Sequence, residues 1–90
     1  MTKEKIQPVE KKQGSLENPK ELVLFNDEVN TFDYVIETLI DVCGHEPEQA
    51  EQCAMIAHYN GRCTVKSGAY TELKPPYDEM TNRKLTVSIY

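Results

Sequence analysis

The sequence lacks any apolar run of the length needed to cross a bilayer, and its polar N-terminus has no hydrophobic stretch of the kind a secretion signal requires. A membrane span is therefore not expected, and the chain reads as cytoplasmic. Cysteine is scarce: Cys43, Cys53 and Cys63 are odd in number, and in a reducing compartment they are expected as free thiols rather than as a disulfide framework. Large apolar side chains are almost missing from residues 1–19, where Lys3, Lys5, Lys11 and Lys12 face Glu4, Glu10 and Glu17 among Gln, Pro and Gly. Such a segment buries too little to offset its own ordering entropy, so it is expected as a flexible arm ahead of one domain at residues 20–90, with a modest core. Positive charge is also short. From Lys20 onward twelve acidic residues stand against six basic ones, a net of −6, which disfavours phosphate-backbone binding and favours peptides or cationic groups as partners. The chain has no internal repeat, and a domain of this size has no room for a deep multi-lobed active site.

What is present reads as an α+β domain. Four consecutive apolar residues, Leu22 to Phe25, bounded by charge on both sides, predict a central buried strand over 21–26. Asn30 is a fitting helix cap with Asp33 at the third position; Phe32, Val35, Ile36, Leu39, Ile40 and Cys43 follow at helical spacing until Gly44. Pro47 suits the first turn of a second helix, in which Ala50, Cys53, Ala54, Ala57 and His58 share one face before Asn60-Gly61 ends it. Cys63 to Lys66 and the alternating Leu85 to Ile89 predict two more strands. Residues 70–83 have helical character, but Pro75-Pro76 is expected to break them into a turn and a short helix, because an interior proline removes a hydrogen bond and clashes with the preceding turn. The order β-α-α-β-α-β gives a small three-stranded antiparallel sheet with three helices packed on one face.

The chemistry concentrates where the first strand stops on Asn26, Asp27 and Glu28 just before a helix. An amide and carboxylates at a strand end, with His58 on a neighbouring helix, supply hydrogen-bond acceptors without any evident nucleophile, so binding is expected rather than catalysis. Each has a plainer role as well: Asn and Asp form turns after strands, and a histidine at a helix end is often structural. Cys43, His45, Cys53, His58 and Cys63 lack the paired spacing of a metal site, no thiol has a His and an acid at telling spacing, and no cofactor is expected. The acidic residues Glu37, Asp41, Glu48 and Glu51 read as a solvated helix surface.

Three segments together resemble the ClpS family, the adaptors that hand N-degron substrates to the Clp protease: Leu24-Phe25-Asn26-Asp27-Glu28, Thr31-Phe32-Asp33-Tyr34-Val35, and Ala57-His58-Tyr59-Asn60-Gly61. The resemblance runs from about Glu21 to the C-terminus, and it implies the fold shared by this family and the C-terminal domain of the ribosomal stalk protein. It further implies that Asn26 and His58, with Asp27 nearby, hold the α-amino group of a peptide whose first residue is Leu, Phe, Tyr or Trp. That first side chain would enter a pocket at Leu24, Phe25, Asn30, Phe32, Val35, Ala54, Ala57 and Leu85, and the partner would be a Clp-family AAA+ unfoldase such as ClpA or ClpC. An ammonium has only donors, so an amide oxygen, a carboxylate and a neutral imidazole nitrogen suit it. Glu28 stands where the family pattern has Asp and keeps the charge, and Asn30 stands where it has Thr and keeps a helix cap; Phe32 and Ala54 stand where it has Met, which shifts the expected subset of first residues. The alternative is a stalk-like interaction domain that does not recognise N-termini, in which Asn26, Asp27 and His58 have no purpose.

Overall fold

A run of apolar side chains with no polar alternation has to be covered on both faces, and Leu22, Val23 and Leu24 are each less than 5% exposed. In the computed structural model, which describes residues 18–90, they lie in strand β1 (Lys20–Phe25). Residues 1–17 of the expected arm fall outside the described residues. Strand β1 is flanked by β2 (Arg62–Gly68) and β3 (Val87–Ile89), both antiparallel to it, in the order β2-β1-β3. Helices α1 (Phe32–Cys43) and α2 (Pro47–Asn60) join β1 to β2, and α3 (Tyr70–Asn82) joins β2 to β3. The β-α-α-β-α-β order and the central place of the first strand are those the sequence predicts.

Leu22 and Leu24, two residues apart, present the same face of β1 to the helices, where they meet Leu39 of α1, Ala50, Cys53 and Ala57 of α2, and Leu73 and Met80 of α3. Small side chains on α2 let that helix approach the sheet closely. Leu22 pairs with Lys66 and Val23 with Thr64, so Val65 is an extra residue in β2. Its side chain joins the core while its carbonyl lies 2.7 Å from Nε2 of buried His45. This bond requires the proton on Nε2 and ties the α1–α2 turn to the sheet.

Three local readings are corrected by the structure. The cap of α1 is Thr31, whose Oγ1 accepts from the Tyr34 N–H at 3.1 Å, and not Asn30, whose side chain is engaged elsewhere. The third strand starts at Val87, two residues later than Leu85, which sits in the turn after α3 at 5% exposure. Pro75 and Pro76 do not break α3, which runs without interruption from Tyr70 to Asn82. Leu73 and Met80, one on each side of the prolines and both fully buried, anchor the two halves of the helix to the same core, and this tertiary packing outweighs the lost backbone bonds. Gly44 and Gly61 end α1 and α2 in left-handed conformations, as their positions predict.

Candidate functional site

The end of β1 is held by two backbone bonds: Phe25 donates to the Thr86 carbonyl and Asn26 to the Gly61 carbonyl, each at 2.9 Å. Gly61 is the cap of α2, so the second bond sets Asn26 beside the last turn of the helix that carries His58. The chain then turns sharply. Asp27 Oδ1 accepts from the backbone N–H groups of Val29 at 2.9 Å and Asn30 at 2.8 Å, and Oδ2 accepts from the Asn30 side-chain amide at 3.0 Å. The second hydrogen of that amide goes to the Lys84 carbonyl at 2.9 Å.

A cavity of about 240 Å³ opens between this loop, the first turn of α1 and the C-terminal half of α2. Its lining is Leu24, Phe25, Asn26, Asp27, Glu28, Asn30, Phe32, Val35, Ala54, Ala57 and His58. Ten of the eleven residues that the resemblance singles out therefore line one cavity. Leu85 does not: it belongs to the core beneath. Glu28, which the sequence reading left without a role in the site, is part of the lining. The resemblance places Asn30 in the apolar wall; its bond to Lys84, 54 positions away, leaves no trace in local pattern.

Apolar and polar parts of the cavity are separated by origin. Phe32 and Val35 from α1 and Ala54 and Ala57 from α2 form a hydrophobic wall between two helices. The strand end supplies the amide and carboxylates. The exposed His58 ring lies edge-on to Phe32, with centroids 6.3 Å apart at 89°, and to Tyr59 at 4.8 Å and 77°. Burial of the Asp27 carboxyl, the largest single influence, pushes its pKa up, but the hydrogen bonds from Asn30 and Val29 together win and hold it below its ordinary value. Asp27 is thus a carboxylate at neutral pH with three of its roughly four acceptor sites filled. The carbonyl end of α2, with roughly half a negative charge, adds to the preference of this mouth for a cation.

The thiols stand apart from this chemistry. Burial pushes Cys43 up to about 11, partly opposed by Lys66; burial, then the hydrogen bond and charge of Cys63, then Cys43, push Cys53 up to about 12. Both are neutral thiols at physiological pH and poor nucleophiles. Among the described residues no three His, Cys, Asp or Glu side chains gather as a metal site would need. No helix among them is long and apolar enough to cross a membrane.

Comparison with known proteins adds an independent line. The ClpS adapter proteins of Campylobacter jejuni subsp. jejuni and subsp. doylei are 39% identical to this chain over 62 residues, 67% of its length, and the match spans 62% of theirs. The structure of Agrobacterium tumefaciens ClpS2 bound to L-phenylalaninamide superposes with a TM-score of 0.68 over 80% of this chain and 94% of that one, at 19% identity, a likeness of fold. Residues 16–88 match the family model described as ATP-dependent Clp protease adaptor protein ClpS. A match extending over nearly the whole described fold settles the family: this chain is a member of the ClpS family.

Proposed function

We propose that the chain is a non-enzymatic adaptor that grips a polypeptide by its first residue and delivers it to a Clp-family AAA+ unfoldase, ClpA or ClpC, in the cytoplasm. The observation that carries this reading is that Asn26, Asp27 and His58 line the same cavity as Phe32, Val35, Ala54 and Ala57. A protonated α-amino group presents three N–H donors and no acceptor. The Asn26 carboxamide oxygen, the remaining acceptor site of Asp27 and a neutral His58 ring nitrogen match it in number and kind. The cavity as a whole, polar mouth and apolar wall together, has about 240 Å³. Room for a benzene ring takes roughly 150 Å³, so one Phe, Leu or Tyr side chain fits and a folded protein surface does not.

The solved relative supports the same assignment, since L-phenylalaninamide, the ligand named for ClpS2, has a free α-amino group and an aromatic side chain. Residues 1–19 are assigned to hand-over rather than to capture: deleting them is expected to spare peptide affinity and impair delivery. The stalk-like alternative gives the three acceptors nothing to do. The test is a panel of short peptides differing only in the first residue, titrated against the purified chain. Peptides beginning with Leu, Phe, Tyr or Trp are expected to bind and those beginning with Asp or Gly are not, whereas no binding across the panel would reject the reading.

A further inference from the structure

Asn30 is spent in a way that a pocket-wall residue does not need. Its side-chain Nδ2 has two hydrogens, and both go to pure acceptors: Asp27 Oδ2 at 3.0 Å and the Lys84 carbonyl at 2.9 Å. Those partners fix the orientation of the amide by chemistry, because the carboxamide oxygen could serve neither. The Lys84 carbonyl is itself rigidly placed. Lys84 adopts a left-handed backbone conformation, φ 73°, just after α3, and flanking bonds run from its own N–H to the Thr81 carbonyl at 2.9 Å and from the Leu85 N–H to the Met80 carbonyl at 3.0 Å. Met80 is fully buried, so this turn is built on the core. On the other side, both acceptor sites of Asp27 Oδ1 are taken by the Val29 and Asn30 backbone, and Asn30 Nδ2 is the partner of Oδ2 among the described residues.

We propose that Asn30 is a positioning residue: its amide clamps the Asp27 carboxylate to the α3–β3 turn, and so holds the one open acceptor site of Oδ2 in place for the ammonium of the bound peptide. The inference rests on the amine-capture reading given above and deepens it by giving that site its rigid support. Without the amide the carboxylate is held through one oxygen only, and Oδ2 is free to swing toward solvent. The strap spans 54 positions of sequence, so it joins the binding loop directly to the end of the third helix. Tyr34 makes a parallel tie, its hydroxyl donating to the Arg83 carbonyl at 2.9 Å, that anchors α1 to the same turn without touching Asp27. That second tie provides the control.

The experiment uses the full chain with the substitutions Asn30→Leu and Tyr34→Phe. Leu has nearly the shape of Asn and no donors, so a residue that serves only as apolar wall would tolerate it. Affinity for a free-amine peptide beginning with Phe is expected to fall about tenfold in Asn30→Leu, and to stay within about twofold in Tyr34→Phe. On the unliganded protein, ¹³C NMR of the Asp27 carboxyl should show its titration midpoint rise in Asn30→Leu, because a hydrogen bond to the charged form is lost, and stay in place in Tyr34→Phe. A change of wall shape alone, with the Val29 and Asn30 backbone bonds to Oδ1 kept, would not move that midpoint. An unmoved midpoint in Asn30→Leu overturns the proposal whatever the affinity does, and so does wild-type affinity in Asn30→Leu or an equal loss in Tyr34→Phe. If the wild-type chain bound no free-amine peptide at all, the functional reading would fail, while the titration would still decide what Asn30 does to Asp27.

Discussion

The backbone N–H of Asn26 donates to the carbonyl of Gly61 at 2.9 Å, joining the first residue after β1 to the cap of α2. Because His58 lies three positions before Gly61, that bond fixes the backbone of Asn26 against the helix turn that carries the imidazole. The placement of Asn26 beside the end of α2 is therefore a backbone property, supported by a glycine at φ 98°.

Gly61→Ala tests that dependence. A Cβ at this position would meet no atom within 4 Å, so the cost is the backbone conformation alone, roughly 1–2 kcal/mol for an L-residue with positive φ. Urea denaturation should show that loss, and peptide affinity should fall with it as the Asn26 anchor shifts. Undiminished stability would mean that the turn relaxes freely and does not set the site.

Asn26→Ala and His58→Ala should act on binding alone. Both residues are exposed, so the melting temperature is expected to stay nearly constant. Each substitution removes one hydrogen bond to a charged group, worth about 1.5–3 kcal/mol, or about 10- to 100-fold in Kd. Fluorescence polarisation with a labelled peptide measures this, and unchanged affinity in both variants would remove these residues from the site.

Stability should fall at both ends of the pH scale for separate reasons. The Asp27 carboxyl is held below its ordinary value in the fold, so its contribution is complete above the unfolded-state pKa of about 3.9 and is lost as pH drops through the lower folded value. The Cys43 and Cys53 thiols are raised to about 11 and about 12, so their contribution is complete below the unfolded thiol pKa of about 8.5 and is lost as pH climbs toward those values. Urea midpoints across pH should be flat near neutrality. Asp27→Asn should blunt the acid decline and Cys53→Ala the alkaline one.

The continuous third helix gives a further test. An interior proline costs a helix about 3 kcal/mol relative to alanine, whereas the stiffness it lends the unfolded chain offsets about 0.4–1 kcal/mol. Pro75→Ala should therefore raise the melting temperature, since α3 already runs through that position. A fall would mean that the proline is accommodated by a favourable local geometry.

Which of these features the sequence exposes follows from the range of the interaction behind each. The apolar run 22–25, the helical spacing from Phe32 to Cys43, Pro47 and the glycines at 44 and 61 are local signals, and each led to the element found. The cap of α1 was misplaced because Asn30 and Thr31 are both capping residues; what separates them is the remote Lys84 carbonyl, which occupies Asn30. The unbroken α3 was hidden for a similar reason, since Leu73 and Met80 act through the core rather than along the chain. The candidate site is legible because the side chains proposed for it sit at two element ends, one strand and one helix, which the structure brings to one cavity. Leu85 was drawn into it by family pattern, although its side chain belongs to the core.

The central claim is that the cavity captures a free α-amino group. Its most direct measurement is the affinity of one peptide beginning with Phe against its N-acetylated twin, titrated calorimetrically into the purified chain. Acetylation removes the positive charge and two donors while leaving the side chain unchanged, so the account predicts binding of the free peptide and none measurable for the acetylated one. Equal affinity for both would contradict it.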